Sequence, residues 1–260
     1  MSLRVTLVQQ PLAWRAPDAN RQRFAGLLAS LSGPTDLVIL PETFTTGFTM
    51  EVERAAEPAG GPTASWLLQL ARQLDAAVTG SVITVEEGRY YNRLLWAEPD
   101  GGLRHYDKRH LFRMGGEHEH FTPGRATWTV QWRGVNVCPL VCYDLRFPVF
   151  SRRRADLDYD LLIYVANWPA ARTYAWRQLL VARAIENQAF VAGVNRVGED
   201  GNGIPHQGDS RLCDFLGQPL ADLGAVPAVQ TVELDLESLR KFRERFPAHL
   251  DADRFTLAPP

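Results

Sequence analysis

The chain is short of cysteine, of net charge and of long apolar runs, and each shortage removes a class of function. Only three cysteines, Cys138, Cys142 and Cys213, occur in 260 residues. That suits a reducing compartment where thiols stay free, not a disulfide-stapled secreted domain. In a strand, at about 3.3 Å per residue, Cys138 and Cys142 would lie roughly 13 Å apart, too far for a disulfide. No CxxC pair or histidine cluster accompanies them, so no metal is expected. The six histidines are scattered, apart from EHEH at 117–120. That stretch is expected to be a solvated polar loop, with a metal site as the alternative.

The formal net charge of −2 gives no electrostatic reason to expect nucleic acid or an anionic membrane as partner. No apolar run approaches the ~20 residues of a membrane span. The opening MSLRVTLVQQP carries one arginine and a short apolar run without a small-residue cleavage site. It is expected to be a first strand and not an export signal, which points to a cytoplasmic protein.

What is present is ordinary globular composition, 45% hydrophobic and 22% charged. The length allows one large domain or two modest ones. Short β-branched runs bounded by Gly, Pro and Asp predict strands at 4–9, 37–40, 77–85, 92–97, 135–141, 161–165, 190–194 and 229–234. Helical periodicity predicts 19–31, with Phe24, Leu27, Leu28 and Leu31 on one face, and 63–74, with Trp66, Leu67 and Leu70. A longer helix over 172–188 offers Trp176, Leu179, Leu180, Ala184 and Ile185 as its packing stripe. Alternating strands and helices predict an α/β layered fold. With no linker, repeat or low-complexity tract in view, a single domain over 1–260 is expected.

Three loops that directly follow strand-like runs carry the chemistry: LVILPETFTTGF, LRHYDKRHLF and CPLVCYDLRF. Sites in open α/β sheets gather just beyond strand ends, which singles out Glu42, Lys108 and Cys142. Beside Phe44, Phe48 and Met50, Glu42 is either a solvated loop acid or a carboxylate in a poorly hydrated pocket, its pKa raised so that it acts as a base. Lys108 is either surface charge or a fixed cation facing an oxyanion. Cys142 stands where an apolar run gives way to Tyr-Asp-Leu-Arg, a placement that argues against core filler. A reactive thiol needs a group to take its proton. Spacing alone leaves a Cys–His hydrolase open, with His105, His110 or His206 as the spatial partner.

As a set, these segments resemble the nitrilase superfamily, carbon–nitrogen hydrolases that use a Glu-Lys-Cys triad. LPETFTTGF resembles the segment of the family's glutamate, which falls on Glu42. YDKRHLF resembles the lysine segment, giving Lys108, and VCYDLRFP the cysteine segment, giving Cys142. GEHEHFTPG resembles the loop with a second glutamate, Glu117. ARAIENQAFVAGVNRVG and GDSRLCDFLG resemble the segments that follow. Several motifs in the family's order, over essentially the whole chain, make the resemblance specific. Its nearest branch is the ω-amidases, whose bacterial members carry PETFTTGF and MGGEHEH.

The resemblance implies a four-layer αββα sandwich, two sheets face to face with helices outside. It implies a homodimer through the helical layer after the cysteine, so that the 172–188 helix is partly interface; covering its own sheet is the alternative. It also implies acyl transfer without metal or organic cofactor, on a small-molecule amide. Cys142 is then the nucleophile and Glu42 its base, while Lys108 and the backbone N–H of Tyr143 stabilise the oxyanion. Glu117 would orient Lys108 or the substrate amine.

Substrates of this branch are short dicarboxylic monoamides such as 2-oxoglutaramate and 2-oxosuccinamate. Their carboxylate calls for a guanidinium. Arg146 is the expected anchor; the alternative is that it braces the turn through Asp144. Asp144 itself is expected to pair with a nearby arginine and clamp the cysteine turn. Trp168 is expected to wall the pocket or to fill the core. A nitrilase or an N-carbamoyl-amine hydrolase with the same triad stays open, as does an inactive regulatory or binding protein. The intact triad argues against the last.

Overall fold

Apolar residues alternate along the N-terminal strands, and the two sets end in different cores. On the Ser2–Gln9 strand, Leu3, Val5 and Leu7 enter one core and Val8 the other; on Leu37–Ile39, Leu37 and Ile39 oppose Val38. On Arg89–Ala97, Leu94 and Trp96 oppose Leu95 and Ala97. A strand has a side-chain period of two, so this alternation makes both faces of the sheet apolar, and both must be covered.

The computed structural model describes residues 2–257; of the domain expected over 1–260, residue 1 and residues 258–260 lie outside the described residues. Among the described residues the first sheet has seven strands. Six run in the order Ala228–Asp235, Ser2–Gln9, Leu37–Ile39, Ala77–Glu86, Arg89–Ala97 and Leu103–Asp107, while Glu57–Pro58 pairs with Ala77–Glu86. The second sheet has six strands, in the order Pro219–Asp222, Arg211–Cys213, Phe190–Asn195, Leu161–Ala166, Val135–Val141 and Val130–Trp132.

One face of the first sheet lies against the second, with Ser2–Gln9 against Phe190–Asn195 and Arg89–Ala97 against Val135–Val141. Its other face is covered by the helices Pro17–Ala29, through Phe24 and Leu28, and Pro62–Leu74, through Leu67 and Leu70. The Thr173–Asn187 helix covers the second sheet with Trp176, Leu180 and Ala184. The result is the expected sandwich of two sheets between helices.

The central strands of each sheet are parallel: Ser2–Gln9, Leu37–Ile39 and Ala77–Glu86 in one, Val135–Val141, Leu161–Ala166 and Phe190–Asn195 in the other. Within each sheet, their C-terminal ends therefore emerge along one edge. Glu42 follows the Leu37–Ile39 strand and Cys142 follows Val135–Val141, so the topology delivers residues from both sheets to the site.

Every expected strand is found, within a few residues at each end. The strands missing from the sequence reading are short, such as Val130–Trp132 and Arg211–Cys213, too brief to show a period. The Leu236–Arg245 helix was also not anticipated; Asp235 caps it, its carboxylate accepting the N–H groups of Glu237 at 3.0 Å and Ser238 at 3.1 Å. Two expectations need correction. Ile185 is not in the packing stripe but 53% exposed. EHEH is not a solvated loop: it is the short helix Glu117–His120, with Glu117 fully buried. Among the described residues no helix is long and apolar enough to cross a membrane.

Gly193 lies under the covering helix, where an added Cβ would meet Leu180 at 2.5 Å and Trp176 at 2.8 Å. Gly193→Ala should therefore cost about 1–3 kcal/mol, the usual penalty of overpacking. Urea unfolding checks this; unchanged stability would mean that the helix does not pack this closely.

Candidate active site

The loop after Leu37–Ile39 buries Glu42 completely, and the side chain is fixed from both sheets. Its Oε1 accepts hydrogen bonds from Lys108 Nζ at 2.9 Å and Asn92 Nδ2 at 2.8 Å. Its Oε2 accepts the backbone N–H of Asn167 at 2.7 Å, and its carbonyl accepts Asn167 Nδ2 at 2.6 Å. Asn167 follows the Leu161–Ala166 strand of the second sheet, so this amide joins the two sheets at the carboxylate. Thr43 takes φ +39°, in the left-handed region that a β-branched residue rarely adopts. Its N–H donates to Ser81 Oγ at 2.8 Å and its hydroxyl oxygen accepts Asn167 Nδ2 at 3.0 Å.

Lys108 follows the Leu103–Asp107 strand and is not surface charge: it is 1% exposed. Besides Glu42, its ammonium donates to Glu117 at 3.0 Å (Oε1) and 2.9 Å (Oε2). Asn92 ties this group together. Its Nδ2 reaches Glu117 Oε1 at 3.2 Å as well as Glu42, and its backbone carbonyl accepts the N–H of Lys108 at 2.9 Å. Glu117 Oε2 also accepts the Phe112 N–H at 2.5 Å. Burial alone would lower the pKa of Lys108, but the charges of Glu117 and Glu42 outweigh it and raise it. Lys108 is thus a permanent cation. For Glu117 burial outweighs the attraction of Lys108, so its pKa is raised.

Cys142 sits at the strand-to-turn junction with φ +44°, opening the 3₁₀ turn Cys142–Arg146. A non-glycine residue held left-handed costs on the order of 1–2 kcal/mol, and here it turns the thiol toward Glu42 and Lys108. Burial first, then the charge of Glu42, push the thiol well above its usual range, against the pull of Lys108; a hydrogen bond to Glu42 adds to the rise. The Cys142 thiol is therefore neutral at rest and lies beside a carboxylate. At the start of the turn the Tyr143 N–H has no intrahelical acceptor.

Asp144 does clamp this turn, but not through an arginine, as the sequence reading expected. Its Oδ2 accepts the Val141 N–H at 3.0 Å and the Tyr106 hydroxyl at 2.8 Å. Its Oδ1 accepts the His110 N–H at 3.1 Å and lies 2.7 Å from His110 Nδ1. Tyr106 and His110 flank Lys108, so the buried Asp144 locks the cysteine turn to the lysine segment. Arg146 is instead free of Asp144, its guanidinium 4.9 Å from the centroid of the Trp168 ring.

A cavity of about 390 Å³ opens over these groups, lined in part by Glu42, Lys108, Cys142, Tyr143, Arg146 and Trp168. That is within the range of small-molecule sites. Trp168 fulfils both expectations, being 3% exposed and against Trp176 while also walling the cavity.

The histidines do not reach the thiol. His110 is stacked on Phe147 at 3.8 Å and bound to Asp144, and His105 is an edge residue near Asp107. His206 lines the cavity with Nδ1 2.9 Å from the Ile204 carbonyl. Burial, helped by Arg196, holds it down at about 4, so it is neutral at physiological pH. Among the described residues no three His, Cys, Asp or Glu side chains are grouped to hold a metal ion.

The carbon-nitrogen hydrolase family model matches residues 4–244. The chain belongs to the carbon-nitrogen hydrolase family. It is 49% identical over 256 residues to omega-amidase YafV of Escherichia coli K12, covering 98% of each chain. It is 31% identical to the 2-oxoglutaramate amidase of Bacillus subtilis, over 96% of this chain and 98% of that one. Its structure is similar to that of XC1258 from Xanthomonas campestris, a CN-hydrolase superfamily protein with an arsenic adduct in its active site. There the TM-score is 0.97 at 51% identity, covering 99% of this chain and 100% of that one.

Within this carbon-nitrogen hydrolase chain, sequence reasoning missed Asn92 and Asn167. The available signal was an amide inside or just after an apolar strand run, where asparagine is disfavoured.

Lys108→Met would leave two buried carboxylates without their ammonium, a loss of about 3–5 kcal/mol near neutral pH. Without Lys108 nothing offsets the burial of Glu117, whose pKa then lies further above its unfolded value, so the folded state binds more protons and stability falls as pH rises. Urea unfolding should show the deficit shrinking from about pH 8 to about pH 5.5. An equal deficit at both would contradict the charge argument.

Proposed function

We propose that the protein is an ω-amidase, hydrolysing the terminal amide of short dicarboxylic monoamides of the 2-oxoglutaramate type through a thioester on Cys142. The observation that carries this reading is the neutral Cys142 thiol held against Glu42, whose other oxygen contacts fix it beside a permanent ammonium. The names of the relatives, ω-amidase and 2-oxoglutaramate amidase, support the substrate class.

In this mechanism Glu42 takes the proton from Cys142 as sulfur attacks the amide carbon. The Lys108 ammonium and the Tyr143 N–H meet the negative charge on the carbonyl oxygen. Protonated Glu42 then gives its proton to the amide nitrogen, the C–N bond breaks and ammonia leaves the thioester. Glu42 next takes a proton from water, whose oxygen attacks the thioester carbon, and the sulfur leaves to be reprotonated. Glu117 holds Lys108 in place and keeps its charge. Because the thiol is not pre-ionised, Glu42 is needed in both halves of the cycle.

Arg146 anchors the distal carboxylate, and Trp168 supplies the face on which that guanidinium rests. The same reading extends to assembly and location. A homodimer through the Thr173–Asn187 helix accords with Tyr174 and Ile185, 78% and 53% exposed. Cytoplasmic residence accords with three free cysteines.

Ammonia release from matched amide, nitrile and carbamoyl substrates tests the reading, with the amide expected to be turned over fastest. Arg146→Lys should lower kcat/KM for the carboxylate-bearing amide by about tenfold or more relative to a neutral amide, because a point charge replaces the two-pronged fork. Equal losses on both amides would make Arg146 a structural residue. Preference for the nitrile or carbamoyl compound would replace the proposed activity.

A further inference from the structure

Arg146 is not the one cation over the cavity without a counter-ion. Arg172 closes the 3₁₀ turn Ala170–Arg172 and also lines the cavity, its guanidinium 5.2 Å from the centroid of the Phe112 ring. Among the described residues neither Arg146 nor Arg172 has a carboxylate in ion-pair contact or a hydrogen-bond acceptor for its guanidinium. The other acids and bases of the cavity wall are engaged. Arg15 is paired with Glu51. Asp200 accepts the N–H groups of Asn202 at 2.8 Å and Ile204 at 3.0 Å.

Trp168 links the two arginines. Arg146 rests on the Trp168 ring, and the indole N–H of Trp168 donates to the Arg172 carbonyl at 2.9 Å. The Arg172 N–H donates to the Pro169 carbonyl at 3.0 Å, which fixes the turn. Trp168 is itself tied down, its N–H donating to Asn195 Oδ1 at 2.8 Å and its carbonyl accepting Asn195 Nδ2 at 3.0 Å. Two like charges held this way, each against an aromatic face and without an acceptor, are arranged for an anionic guest.

One carboxylate is satisfied by one guanidinium fork. A second fork lining the same cavity has donors to spare for an adjacent oxygen. From this we infer that Arg172 is a specificity-determining residue that recognises the 2-oxo group next to the substrate carboxylate, and that the pair Arg146 and Arg172 selects 2-oxo acid amides over their 2-amino counterparts. The inference rests on the ω-amidase reading and adds the feature that reading leaves open. A ketone oxygen accepts from Arg172. An ammonium at the same carbon offers only donors and a like charge, and it is rejected both by repulsion and by the unpaired groups it leaves.

The test compares kcat/KM for three amides of one chain length, measured as ammonia released by wild type, Arg172→Gln and Arg172→Lys. The first amide carries a 2-oxo group, the second a plain methylene there and the third a 2-amino group; all three keep the carboxylate. Ratios within each variant cancel any loss of folded enzyme. In Arg172→Gln the 2-oxo over methylene ratio should fall by about tenfold to a hundredfold, the scale of one lost charge-assisted hydrogen bond. The 2-amino over 2-oxo ratio should rise, and Arg172→Lys should lie between. Unchanged ratios in both variants overturn the assignment of Arg172 while leaving the ω-amidase reading intact. A wild type that prefers a neutral amide of the same length to all three overturns that reading and this inference together.

Discussion

One buried ammonium between two buried carboxylates sets the terms for the rest of the site. A charge fully removed from water is tolerated only when paired and hydrogen-bonded. Lys108 meets that condition through Glu42 and Glu117, and they through Lys108, Asn92 and backbone N–H groups. The group carries two acids and one base, so it can accept one further proton. The proton at hand is that of Cys142. In the proposed mechanism, the electrostatic arrangement that makes the cluster tolerable inside the protein is thus also the one that lets Glu42 act as the base.

The two-sheet architecture explains how such a cluster is held. Glu42, Asn92 and Lys108 come from the first sheet and its loops, Cys142 and Asn167 from the second. Asn167 ties Glu42 across the interface, and Asp144 ties the cysteine turn to the lysine segment. The strained backbone at Thr43 and Cys142 sits where these ties converge. Strain persists where the surroundings over-determine a conformation, and such places are commonly functional.

Much of this was legible in the sequence because the signals were local. The long β-branched runs gave the strands, and abrupt polarity after them gave Glu42, Lys108 and Cys142; Glu117 came from the family resemblance. What escaped depended on contacts between distant segments. Asn92 reads as a poor strand residue until its partners 50 and 25 residues away are known. Asp144 was placed correctly as a clamp but given the wrong partner, since an arginine two residues on is nearer in sequence than Tyr106 or His110, 38 and 34 residues away. The EHEH stretch looked polar throughout, yet one helical turn buries its first glutamate and leaves Glu119 exposed.

The proposed mechanism requires a covalent bond at one sulfur. The most direct measurement is an acid quench of the wild-type enzyme during turnover of a slowly deacylated monoamide, followed by peptide mass mapping and separate quantification of ammonia and acid. The expected result is one equivalent of ammonia released ahead of the acid, with the acyl mass on the peptide holding Cys142. Simultaneous release of ammonia and acid with every cysteine unmodified, or an acyl group on Cys138 or Cys213, would contradict it.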